Sequence, residues 1–188
     1  MSGLKTIRTI DEFISFVAAP QGDGRKMFLR WSTGPRNDAK SGYNSFNQAS
    51  GQREGGLSVN GLEAEPYLWA NVPQVDAIRE YLAQQLSEYG FTGSFSKASP
   101  YIVAGRETHR GGDNEPIISD VEFVAQVAPA AVEEARAIVA IVQGHTFALR
   151  AKYSGQSHFN GQPISAEQQD AAEQWSEARR KAARIEQA

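Results

Sequence analysis

Three residues set far apart in the chain, Arg30, Ser58 and Glu115, have types and settings that could serve one chemistry. Arg30 stands inside the aromatic-rich run Lys26 to Trp31 (KMFLRW), where strand alternation puts it on the same face as Phe28. An arginine so placed either lays its stem over apolar surface or is a buried fork that holds an anion. Ser58 follows Gly55 and Gly56 on the short run Leu57-Ser58-Val59. Glycines there let a ligand approach the backbone closely. Glu115 opens the run Pro116-Ile117-Ile118, and in an extended chain Asp113 and Glu115 point the same way. A converging guanidinium, hydroxyl and carboxylate would suit an anionic substrate whose reaction develops positive charge beside the carboxylate. The plainer reading is a structural salt bridge between Arg30 and Glu115, or two solvated surface charges.

A second constellation is Gly105 to Asp113 (GRETHRGGD), two arginines and a histidine among three glycines. Backbone N–H groups and guanidinium forks could cradle a phosphate there. It has neither Walker nor GxGxxG spacing, and a mobile, solvated hairpin loop is the favoured reading. Trp31, Trp69, Tyr67 and Tyr101 could line an aromatic slot for a flat ring, although aromatics on short strands usually belong to the core. His145 reads as complementing a helix end, and His158 has no assigned role.

The Arg30, Ser58 and Glu115 spacing resembles the core of the ADP-ribosyltransferase superfamily over residues 26–127. The run Asp113-x-Glu115 stands where that family has its E-x-E-like element, whereas residues 57–59 read Leu-Ser-Val in place of a Ser-Thr-Ser run. The resemblance implies NAD as substrate; no metal is expected, because the chain has no cysteine and only three histidines. Arg30 would hold the pyrophosphate, Ser58 would orient the nicotinamide ribose, and Glu115 would stabilise charge at the anomeric carbon. Trp31, Asn60 and Arg106 would complete the NAD site. The chain also resembles a bacterial family of unknown function. The likeness lies in three ordered blocks: Arg30-Trp31-Ser32-x-Gly34-Pro35-x-x-Asp38, Gly56 to Asn60 (GLSVN), and Gly105 to Glu107 through Gly112 to Pro116. That likeness implies one recurring unit and names no activity. The rival to an enzyme is an interaction module that binds a protein partner through its long polar loop and C-terminal helix.

The elements that must position these residues can be read from periodicity. Thr9 and Glu12 have capping-box spacing before a helix over 10–18, and Lys26 to Trp31 reads as a strand. Residues 32–56 form a polar stretch much longer than the usual connection of about 4–6 residues. Short strands are expected at 57–59 and 67–69. A helix is expected over 73–89, with Val75, Ile78, Leu82, Leu86 and Tyr89 as its apolar stripe. Tyr101 to Ala104 predicts a strand followed by a loop at 105–114, and Glu115 to Val127 predicts the longest strand. Pro116 belongs at its start or on an edge. Pro129 opens a helix that Gly144 is expected to close, with a last strand over 146–153. Ser165 to Gln168 is a second capping box, before a final helix to about 187 whose acids come early and whose bases come late.

The pattern predicts an α+β domain over 1–153, with a mixed, largely antiparallel sheet and flanking helices. Residues 154–188 are a loop and helical extension. The chain has 188 residues, no cysteine, three histidines and a formal charge of −3. This excludes disulfides, thiolate metal sites and a cysteine nucleophile. It also argues against a general nucleic-acid binder, although a small-molecule nucleotide remains compatible. The N-terminal run MSGLKTIRTIDEF has no apolar h-region and no segment reaches membrane-spanning length, so the expectation is a cytoplasmic protein with no membrane partner.

Overall fold

A computed structural model describes residues 4–19, 23–47, 51–63, 71–87, 97–112 and 114–187. The chain opens with β1 (Lys5–Ile7) and α1 (Ile10–Ala18). Thr9 caps α1 by accepting from the Glu12 N–H, and Glu12 reaches back to the Arg8 N–H at 2.7 Å. The apolar spacing then buries Ile10 and Phe13. Next come β2 (Lys26–Ser32), α2 (Pro35–Lys40) and the hairpin β3 (Ser45–Asn47) and β4 (Gln52–Glu54). The described residues of the polar stretch 32–56 thus hold a helix and two paired strands. Ser32 Oγ accepts from the Gly34 N–H, Gly34 turns the chain at φ 132°, and Pro35 begins α2. Glycine tolerates that φ, and proline at the first helical position wastes no N–H.

Two very short strands follow, β5 (Leu57–Ser58) and β6 (Asn60–Gly61), then α3 (Gln74–Ser87). α3 buries Ala77, Leu82, Ala83 and Leu86, whereas Val75 is 72% exposed. The strand expected at 67–69 and Tyr89 lie outside the described residues. β7 (Ser99–Arg110) and β8 (Pro116–Val127) form a long antiparallel hairpin. β7 continues through the glycine- and charge-rich run expected to be loop. Exposed polar side chains on a two-stranded extension hid it from an apolar-run reading. Pro116 sits at the first position of β8, where a missing N–H costs least.

The expected break at Gly144 is corrected. α4 runs unbroken from Pro129 to Tyr153. An isolated glycine in a helix costs about 1 kcal/mol, and packing on both sides of it outweighs that. Ala135 is buried before Gly144, and Ala148 and Ala151 after it. The true stop is Gly155, at φ 65°, whose N–H donates to Lys152 O at 3.1 Å. The ribbon β9 (His158–Phe159) and β10 (Gln162–Pro163) leads into α5 (Ala166–Glu186). The Ser165 capping box is present in both directions, at 3.2 Å and 2.8 Å.

The main sheet has the order β1-β8-β7-β2-β6, parallel only between β1 and β8. β5 bonds to β8 on its other edge, while β6 bonds to β2. Only Val59 separates β5 from β6, so residues 57–61 bridge the two flanks and curl the sheet into a closed ring. Register shifts along β7 and β8 supply the bend. Inside the curl lie Phe28, Leu57, Val59, Val103 and Ile118. On the opposite face Leu29, Trp31, Ile102 and Val127 pack with Phe13, Leu82, Leu86 and Ala131 of the helices. α5 lies on α4 and α3. Arg179 pairs with Glu80 at 2.7 Å, and Lys152 binds Asp170 and Glu173 at 2.7 and 2.6 Å. Those two carboxylates hold the Lys152 ammonium above its ordinary pKa.

Candidate functional site

Alternation along β2 puts Arg30 on the inner side of the curl and Trp31 on the helix side. Arg30 Nη2 donates to Asp38 Oδ1 at 2.9 Å, and Nη1 donates to the Ser58 carbonyl at 3.0 Å. Asp38 is 8% exposed and is held by the one-and-a-half turns of α2. Its carbonyl accepts from the Tyr43 N–H and from Ser41 Oγ, closing that turn. Arg30 Nε and Asp38 Oδ2 are buried without a hydrogen-bond partner among the described residues. Tyr101, opposite Arg30 in the ladder, is buried and meets Phe123 edge to face at 5.4 Å. Burial, and secondarily the Asp38 charge, push the Tyr101 phenol above its ordinary pKa.

The three sequence blocks are brought together, and the middle one joins the outer two. Ser58 touches Arg30 through its backbone and is in register with Ile117, and the Val59 N–H donates to Pro116 O at 3.0 Å. The Ser58 N–H is taken by Ser45 Oγ at 2.6 Å. Glu115 stands one residue before Pro116, but its carboxylate is folded over Gly111, where an added Cβ would collide with Oε1. The carboxylate on Arg30 is Asp38, not Glu115. Arg30-x7-Asp38 was visible as the first and last positions of the first block. Its meaning was not, because a six-residue helix was unexpected in so polar a stretch.

The remaining candidates are scattered. Trp31 is 8% exposed in the helix-side core, on the face away from Arg30. Asn60 pairs with Leu29 in the ladder. Arg106 is exposed, paired with Asp120 at 3.4 Å and with the Asp23 carbonyl at 2.9 Å. Arg110 pairs with Glu107, and Arg25 with Asp23 and Glu122. The hairpin therefore pairs each of these arginines with a carboxylate. Tyr67, Trp69 and Asp113 lie outside the described residues. His145 does not sit at a helix end; it stacks on Trp175 at 4.7 Å. Among the described residues no group of three His, Cys, Asp or Glu is placed to hold a metal, and no helix is long and apolar enough to cross a membrane.

An anion approaching Arg30 would find both terminal nitrogens engaged and a carboxylate at hydrogen-bond distance. The geometry favours clamping α2 and the 57–61 bridge onto β2 over holding a phosphate. The other block residues have comparable tasks. Gly56, at φ 127°, presses on Ile117, where a Cβ would come within 2.5 Å, and Leu57 and Val59 fill the curl. The fold and site thus define an α+β domain whose sheet is curled shut and stapled by a part-buried ion pair. The chain belongs to a family of unknown function, DUF6098, which matches residues 1–147. The match ends inside α4, before the β9–β10 ribbon and α5. Comparison with curated proteins and with solved structures finds no match to either.

Proposed function

We propose that the protein is an interaction module whose recurring sequence blocks are architecture and whose working surface is its helical end. The observation that carries this reading is the engagement of Arg30 by Asp38 and the Ser58 carbonyl. Its partner surface is the end formed by α4, the β9–β10 ribbon and α5. There an open groove of about 340 Å³ is lined mainly by apolar residues, including Ile141, Phe147, Phe159 and Ile164. Ile141 is 59% exposed beside it.

A second reading, an NAD-binding ADP-ribosyltransferase-like domain, is favoured by the meeting of Arg30 with Ser58 and by the pairing of that strand with the residues after Glu115. In that reading Glu115→Gln would spare NAD binding and slow turnover, and Arg30→Ala would weaken binding. Thermal unfolding with and without NAD separates the two. A ligand present at 100 times its Kd stabilises the folded state by about 2.7 kcal/mol. The interaction-module reading predicts no shift in Tm with millimolar NAD. A saturable rise in Tm that Arg30→Ala abolishes would overturn it.

A further inference from the structure

The outer face of α5 is divided by charge. Ala172, Arg179 and Ala183 are buried against the domain. On the opposite side Glu167, Asp170, Gln174, Glu177, Lys181 and Ile185 recur every three or four residues and are all exposed, with Arg184 on the flank. Glu167, Asp170 and Glu177 make the stripe acidic through its middle, and Lys181, with Arg184 on the flank, makes its last turns basic. Order of that kind favours the helix macrodipole, but it also makes the face complementary to itself when a second helix runs antiparallel. Apolar features follow the same division. The groove flanks the first turns of α5, through Gln168 and Ala171, whereas Ile185, 69% exposed, projects from the last turn. An antiparallel copy carries its Ile185 to the groove end, its Arg184 to Glu167 and its Lys181 to Asp170, which also holds Lys152 of its own chain. The twofold axis then repeats every contact, as an isologous interface requires.

We propose that α5 is a homodimerisation helix that docks antiparallel on α5 of a second copy, with Ile185 of each seated at the groove of the other. This deepens the interaction-module reading by naming the occupant of that surface, and it rests on that reading. A parallel arrangement would set acid against acid and base against base. Exposed ion pairs are individually weak and screened by salt, so the dimer loosens at high ionic strength and depends on Ile185.

The test is the mass of the full-length protein in solution, by light scattering on a sizing column at about 100 μM, well above a micromolar Kd. Wild type is expected at twice the chain mass. Glu167→Lys with Asp170→Lys makes both ends of the face basic and leaves Glu177 between them. Lys181→Glu with Arg184→Glu makes it acidic throughout. Each double variant is expected to be monomeric, as is Ile185→Ser, and an equal mixture of the two double variants is expected to recover the dimer. Lys152 keeps Glu173 when Asp170 is replaced, and circular dichroism checks that each variant is folded. Monomeric wild type overturns the proposal while leaving the NAD thermal result, and so the broader reading, to stand or fall alone. A dimer indifferent to all three changes, or folded variants that fail to pair when mixed, overturns it as well.

Discussion

Arg30 shows how little a residue type says about its task until its neighbours are known. The guanidinium suits phosphate and carboxylate equally well, and only the partner decides. Here the partner is Asp38, eight residues on, brought back by α2. The alternation of β2 was readable and set Arg30 on the face of Phe28; the same alternation turns Trp31, named for the same site, to the helix side. The return of Asp38 depended on the Ser32–Gly34–Pro35 turn, whose hydrogen bond no periodicity reveals. The cluster also makes a pH prediction through Tyr101. Its folded pKa is raised by burial and then by Asp38, whereas an unfolded tyrosine ionises near pH 10. The folded state then holds the proton after the unfolded state has released it. Tyr101 therefore costs no stability below about pH 10, and stability falls as pH rises from there through the folded pKa. Urea midpoints measured across that range should fall more steeply in wild type than in Tyr101→Phe.

At the scale of elements, amphipathic helices and apolar strands were legible, and elements stabilised mainly from outside their own segment were not. α1, α3, β2, β8 and α5 follow from caps and apolar spacing. The distal half of β7 is polar and exists because β8 pairs with it. The second half of α4 exists because it packs on α5, which stacks Trp175 on His145. Three glycines report this difference. Gly105 sits in the ring, where a Cβ would meet Ile118 Cδ1 at 2.7 Å and Ser119 O at 2.9 Å. Gly56 is tighter still and at positive φ. Gly144 has nothing within 4 Å of its added Cβ. Gly105→Ala and Gly56→Ala should each lower stability by about 1–3 kcal/mol through overpacking. Gly144→Ala should raise it by about 0.5–1 kcal/mol, because it replaces the freest residue inside a helix. Chemical denaturation of the three variants checks the signs. Destabilisation by Gly144→Ala would show that α4 is not continuous.

For the molecule as a whole, the α+β class was legible from the mixture of element types, but closure of the sheet was not. Nothing in Leu57 to Gly61 announces that one short run bonds to β8 on one side and to β2 on the other. α5 contributes Ala172, Arg179 and Ala183 to the interior, fewer large apolar groups than α3 does. Removal of residues 164–188 should therefore leave one cooperative unfolding transition at a lower denaturant midpoint, because the two apolar clusters of the sheet survive intact. A broad transition without a folded baseline would place α5 in the core. Arg30 staples α2 and the 57–61 bridge to the sheet. A double-mutant cycle on global stability measures this staple directly, with Arg30→Ala, Asp38→Ala and the double variant unfolded in urea. The stapled ring predicts a coupling of about 1–3 kcal/mol, as contacting residues in one network show. Additive losses, with coupling near zero, would contradict the staple and leave Arg30 free to serve a ligand.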